Sequence, residues 1–193
     1  MKRLLAIAAM ALLPGLITAP AAEAADCPPA SVGGKTIAVV TVDGTAVPVK
    51  AVTFVDGGAL IPPATNKAAG ISVRNRPLGS KKGASVIIWH VRYGPGCPGA
   101  LNPLTTMPLG STFTVEKVGR TPVTYQIAAR EMVTKGIVKR SWFRNGGLRK
   151  LVLITCADLT GGVFRGTTAV IAVPVPGHLP VTFAPPHGAA LTT

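Results

Sequence analysis

Apolar residues along this chain fall into short runs with a period of two rather than into helical stripes. Val123, Tyr125 and Ile127 alternate with Thr124, Gln126 and Ala128, and Phe113 and Val115 alternate with Thr112, Thr114 and Glu116. Gly119-Arg120-Thr121-Pro122 separates the two runs, which therefore read as a hairpin with one face on a core. β-Branched segments bounded by Gly, Pro or Asn predict further strands at Thr36–Val42, Val49–Val55, Ser85–Val91, Leu151–Thr155 and Thr167–Val175. Val86-Ile87-Ile88 and Leu151-Val152-Leu153-Ile154 are continuously apolar, as expected of strands buried on both faces. The one hint of helix is a turn near Asn66 to Gly70. The pattern predicts an all-β domain, a closed barrel or a sandwich.

Composition narrows the class. With 193 residues, 48% hydrophobic and 14% charged, the chain suits one globular domain and excludes a disordered tail. Gly 22 and Pro 18 exclude a coiled coil.

Lys2 and Arg3 precede an uncharged stretch from Leu4 to Ala22, and Ala22-Glu23-Ala24 reads as a small-x-small cleavage site. Residues 1–24 are thus expected to be a signal peptide, with an uncleaved anchor as the alternative, because 19 uncharged residues suffice to span. Either reading exports the protein, secreted or membrane-anchored at the cell surface. Asp26 before Cys27 departs from a lipoprotein signal. Removing residues 1–24 takes away Lys2, Arg3 and Glu23 and leaves 18 basic against 6 acidic residues, a net +12. Outside the membrane, the expected counter-surface for such a charge is anionic lipid or anionic cell-wall polymer, and a solvated basic surface is the plainer reading. The basic residues lack the aromatic interleaving of a nucleic-acid groove, so no nucleic-acid partner is expected. The expected layout is an extension over residues 25–45, a barrel over 46–175 and a Pro/Gly-rich tail over 176–193 that contains His178 and His187.

Three cysteines leave one thiol unpaired in an oxidising compartment. Cys27 and Cys97 lie in Pro- and Gly-rich loops that can bring two thiols together, so a Cys27–Cys97 disulfide is expected. Cys156 ends the most apolar strand, where a rigid sheet rim would hold a nucleophile in alignment. A buried, inert cysteine is the plainer reading of that position. A reactive thiolate needs a proton acceptor and a positive field. His90 ends the second apolar strand, and Arg165 follows Cys156 across a Gly161-Gly162 turn. Together they offer nucleophile, acid/base and cationic oxyanion partner from three strand ends.

Leu153-Ile154-Thr155-Cys156, followed by Gly162-Val163-Phe164-Arg165 and Ala169-Val170-Ile171-Ala172, resembles the L-x-T-C … Arg signature of sortases. Those are exported cysteine transpeptidases of Gram-positive cell walls. Gly83 to Val91 resembles their G-x-x-V-I-x-G-H-V segment, and Gly94-Pro95-Gly96, Leu104 and Leu109-Gly110-Ser111-Thr112 are similar to a G-P-G … L … L-x-x-G-D stretch of the class E and F, actinobacterial, enzymes. Val52 to Pro63, with Asp56-Gly57-Gly58 and Ile61-Pro62-Pro63, is similar to their first barrel strands, and the resemblance covers roughly residues 46–173.

The resemblance implies a closed eight-stranded sortase-type β-barrel with short helical turns. It implies catalytic roles for His90, Cys156 and Arg165, substrate contacts from Trp89, Thr155 and Phe164, and no cofactor or metal. Cys156 would attack an L-P-x-T-G- or L-A-x-T-G-like sorting signal of an exported protein at its Thr, forming an acyl-enzyme. A cell-wall precursor amine, or water, would resolve it, and the enzyme would act as a monomer. Trp89 stands where the family has Gly before its His, Arg92 follows where an acid is common, Gly166-Thr167 replaces Asp-Asn, and Gly110-Ser111 replaces the G-D turn. The alternative is a catalytically silent sortase-like module that binds anionic wall polymer or a protein partner. An L,D-transpeptidase is disfavoured by the absence of a His-Gly-Cys motif around Cys156. Leu179-Pro180-Val181-Thr182-Phe183 matches L-P-x-T without a following apolar span, so it is no sorting signal for this chain.

Overall fold

A computed structural model describes Cys27 and residues 33–53, 60–94 and 96–176. The segment expected to be a signal peptide (1–24), Asp56-Gly57-Gly58, Pro95, His178, His187 and the Leu179–Phe183 motif lie outside the described residues. Eight strands follow one another as β1 (Thr36–Val42), β2 (Thr45–Val52), β3 (Ala69–Ser72), β4 (Ala84–Ile88), β5 (Thr112–Lys117), β6 (Val123–Thr134), β7 (Lys150–Thr160) and β8 (Val163–Pro174). They close into a barrel in the order β1-β2-β3-β4-β7-β8-β6-β5. Helix is confined to α1 (Pro103–Thr106) and a 3-10 turn at Arg140–Phe143.

Two ladders are parallel, β2 with β3 and β4 with β7, and the rest are antiparallel. The β4–β7 pair is buried on both faces, which is why its two segments are continuously apolar. Ile87, Leu151 and Leu153 point into the barrel with Val40, Val49, Val170 and Trp89. Ala84, Val86, Ile88, Val152 and Ile154 point outward into a second core capped by Trp142. Trp142 is fully buried by the β6–β7 connection that folds over this outer face. Its indole N–H donates to Glu131 Oε2 at 2.8 Å, and Lys139 pairs with the same oxygen at 3.0 Å. Lys150 Nζ donates to the Ser141 carbonyl at 2.8 Å and holds the other side of the turn.

The predicted alternation of the β5–β6 hairpin is observed: Phe113, Val115, Tyr125 and Ile127 are buried, and Gly119 takes φ 72° at the turn. Other boundaries moved for tertiary reasons. The pattern predicts a strand from Val49, yet β2 begins at Thr45 and carries Pro48 opposite Val39. The β2–β3 ladder starts only at Val49, so Pro48 needs no N–H toward β3. The helical turn expected near Asn66 to Gly70 gives way to β3, whose Ala-Gly start has little strand propensity of its own. Gly70 is there because Val52 leaves no room: a Cβ would lie 2.7 Å from Val52 Cγ1. β1 falls inside the segment 25–45 that the sequence pattern assigns to an extension, and it closes the barrel between β2 and β5. β6, β7 and β8 run further than predicted because their outer ends are polar and exposed, which hides the strand period.

Cys27 is joined to Cys97 by a disulfide with a Cα–Cα separation of 5.5 Å. It ties the chain ahead of β1 to the loop that follows β4.

Glu131 titrates below its ordinary 4.5 because the Trp142 N–H and then Lys139 hydrogen-bond to its carboxylate, outweighing the desolvation that opposes them. A depressed carboxylate stabilises the fold above its unfolded pKa, and the gain is lost as pH falls through the folded value. Glu131→Ala is expected to cost about 1–3 kcal/mol at neutral pH, the penalty for stranding a buried donor. Urea melts over pH should show the deficit shrinking below pH 4.5.

Candidate active site

The parallel ladder sets the level of the candidate residues. β4 and β7 run in register from Ala84↔Lys150 to Ile88↔Ile154, and the Trp89 N–H continues the ladder to the Ile154 carbonyl at 3.2 Å. The Thr155 hydroxyl donates to the Trp89 carbonyl at 2.9 Å, so the two chains stay together past the end of β4. Continuing that register by two residues sets His90 level with Cys156. Both follow the outward parity of Ile88 and Ile154.

Cys156 pairs with Thr167 on β8, and directly opposed residues share a face. Arg165 is two residues from Thr167, so it occupies the diagonal position on the same face as Cys156. It is exposed, and its carbonyl accepts the Lys135 N–H at 2.7 Å. Cys156 is a free, partly exposed thiol. The three candidates therefore stand on one face, at one end of the barrel, on three adjacent strands. Just beyond, Asp158 takes φ 54°, a left-handed conformation that Asp tolerates, and turns the ribbon past the thiol.

His90 is half-buried. Burial pushes its pKa below the ordinary 6.5, and hydrogen bonds to the backbone of Pro62 and Pro63 act in the opposite sense. Proline has no N–H, so the imidazole is the donor and the carbonyls accept. The Tyr93 ring meets the imidazole edge-on with centroids 5.1 Å apart. The net result is an imidazole biased toward its neutral form, the form that accepts a thiol proton.

Trp89 and Thr155 do not line the open face. Both are buried, Trp89 in the barrel core, so their expected substrate contacts are replaced by support from within. The indole thus neither narrows the outer face nor crowds His90. Phe164 is opposite Leu159, on the inward parity of Val170 and Ala172. It lines a 480 Å³ cleft with Val91, Arg92, Asn102, Ala157, Asp158 and Leu159, which borders the β7 segment just after Cys156.

A residue that no motif marks holds His90 in place. Asn102 accepts the Trp89 indole N–H at 3.2 Å and donates to the Val91 carbonyl at 2.8 Å, fixing the residues on both sides of His90. Gly99 makes the approach possible: its N–H donates to Val91 O at 2.9 Å, and a Cβ there would overlap the His90 carbonyl. Asn66 Nδ2 anchors the same loop through Pro98 O at 2.9 Å. Asn102 carries no sequence signal because its partners are backbone and an indole 13 residues away. Among the described residues, no group of three or more His, Cys, Asp or Glu side chains could hold a metal ion.

No protein-family model matches the chain, and no curated protein matches it in sequence. Solved structures do match. Sortase C-1 from Actinomyces oris aligns with TM-score 0.57 at 18% identity, over 74% of this chain and 75% of that one. A pilus-related sortase C of Group B Streptococcus gives 0.57 at 19%, over 74% and 68%. Sortase A from Corynebacterium diphtheriae gives 0.56 at 18%, over 74% and 62%. At these identities the likeness is one of architecture: this chain has the sortase fold, a closed eight-stranded β-barrel.

Proposed function

We propose that this protein is a sortase-type cysteine transpeptidase acting on a sorting signal of exported proteins at the cell surface. The observation that supports the reading is the strand register: continued past Ile88↔Ile154, and two residues along β8 from the Cys156↔Thr167 pair, it puts His90 and Arg165 on the face of Cys156. The sequence likeness around Thr155-Cys156 and Arg165 agrees with it.

In this mechanism neutral His90 takes the Cys156 proton, and the thiolate attacks the carbonyl carbon of the substrate Thr. The Arg165 guanidinium faces the oxyanion that develops. The C–N bond to the following Gly breaks, and the imidazolium returns its proton to the leaving amine. An incoming wall-precursor amine, or water, gives a proton to His90, attacks the thioester and expels the thiolate. A preformed site of this kind needs no cofactor.

Intact-protein mass spectrometry with L-P-x-T-G and L-A-x-T-G peptides is expected to show an acyl adduct on the wild type and none on Cys156→Ala. Addition of an amine should convert the adduct to ligated peptide. A folded protein with an inert Cys156 would overturn the reading in favour of a binding module. Arg165→Ala should slow acylation about 10²–10³-fold, the usual loss for one oxyanion donor, while leaving Cys156 open to alkylation.

His90 followed by NMR should titrate with a midpoint below 6.5, the direction set by its burial. Asn102→Ala should move that midpoint toward 6.5 and lower kcat more than it raises KM, as misplacing the imidazole would require. An unchanged midpoint would leave Asn102 a purely structural residue.

A further inference from the structure

The opposite end of the barrel carries a second feature. β5 ends there at Lys117, β6 begins beyond the hairpin tip, and β7 starts at Lys150, roughly 20 Å along the strand from Cys156. A cleft of 420 Å³ opens between the hairpin and the β3–β4 connection. Lys117, Arg120 and Thr121 line its mouth, and Leu78, Val123 and Tyr125 line its floor and walls.

Behind the floor, Arg149 lies over the Tyr125 ring with its guanidinium carbon 5.7 Å from the centroid. Its Nη2 donates to the Tyr125 hydroxyl at 3.2 Å, while its Nε is buried and has no partner. Lys82 bridges to Leu148, beside Arg149, and brings Lys81-Lys82 to the same rim. No acidic side chain lines the cleft. Lys117 shares the inward parity of Val115, so neighbouring Glu116 points the other way, to solvent. An apolar-walled cleft with Lys117 and Arg120 at its mouth, and the partly buried Arg149 guanidinium held behind its Tyr125 floor, lacks a counter-charge.

We propose that this cleft binds the phosphate group of a polyol phosphate or phospholipid headgroup. The guanidinium, ammonium and hydroxyl donors outnumber the two oxygens of a carboxylate and suit a tetrahedral anion with several acceptors. The Tyr125 ring and the Leu78 and Val123 side chains accept the carbon skeleton attached to it. Occupancy there would orient the barrel with the Cys156 end turned away from the anionic surface. The site uses no residue of the transpeptidase mechanism and stands whether or not that mechanism does.

The test uses the full chain and three probes: inorganic phosphate, glycerol 3-phosphate, and phosphatidylglycerol vesicles in phosphatidylcholine. Calorimetry reads the first two and flotation the third, at low and physiological salt. Expected is salt-sensitive binding that Lys117→Glu/Arg120→Glu weakens about tenfold or more, with an unchanged melting temperature. Arg149→Lys, which keeps the charge and loses the fork, should weaken it in the same direction. Lys67→Glu/Arg140→Glu, a charge-matched change elsewhere, should leave it within about twofold. Glycerol 3-phosphate binding identifies a soluble polyol phosphate, and binding to vesicles alone identifies a lipid headgroup. The proposal is overturned if no probe binds at low salt, or if the distant variant weakens binding as much as the cleft variant. Cys156 alkylation, read in parallel, should be the same in all variants.

Discussion

The parallel β4–β7 ladder is the constraint on which the rest of the molecule depends. Parallel strands cannot be joined by a tight turn, so everything from Trp89 to Arg149 must leave β4 and return to begin β7 alongside it. That excursion contains α1, β5, β6 and the Trp142 turn, and it supplies two of the eight strands of the barrel wall. The ladder is apolar on both sides because it separates two cores, one inside the barrel and one beneath Trp142. Its even register also makes the ends of the two strands level, which is what a shared site at that rim requires.

The outer core explains why the β6–β7 connection is ordered despite its exposed basic residues. Trp142 supplies the apolar contact, and Glu131 supplies the one polar partner its indole needs. Two lysines then surround the carboxylate, Lys139 in contact and Lys150 through space. The arrangement turns one of the few acidic residues of a basic chain into the clasp of the wall beside Cys156. The loop after β4 is ordered by a different device, in which Asn102 and Asn66 satisfy backbone carbonyls, Gly99 permits close approach and Cys97 is tied to Cys27. His90 sits between these two ordered segments.

Lys81, Lys82, Lys117, Arg120 and Arg149 gather at the barrel end away from Cys156. The sequence shows these cations as scattered pairs because they come from three separate connections that only the closed barrel brings together.

The all-β class was legible in the sequence because period-two alternation and doubly apolar runs are local consequences of a sheet with one or two buried faces, whereas the closed eight-stranded barrel was implied only by the sortase resemblance. Cys156, His90 and Arg165 stand out as candidates for a related reason: each sits at or near the end of such a run, within a motif that resembles the sortase signature. The short strand β3 was not, since Ala69 and Gly70 become a strand only through neighbours on β2 and β4. Nor was the direction in which Trp89, Thr155 and Phe164 face, because parity at a strand end depends on which side the barrel closes. Asn102, Glu131 and Arg149 act on partners distant in sequence, and no local pattern encodes such pairs. The sequence by itself determined which residues alternate, where the chain turns and which side chains are candidates for chemistry. Only the tertiary structure decided which of them share a face, because register between strands far apart in sequence is set by closure of the whole barrel.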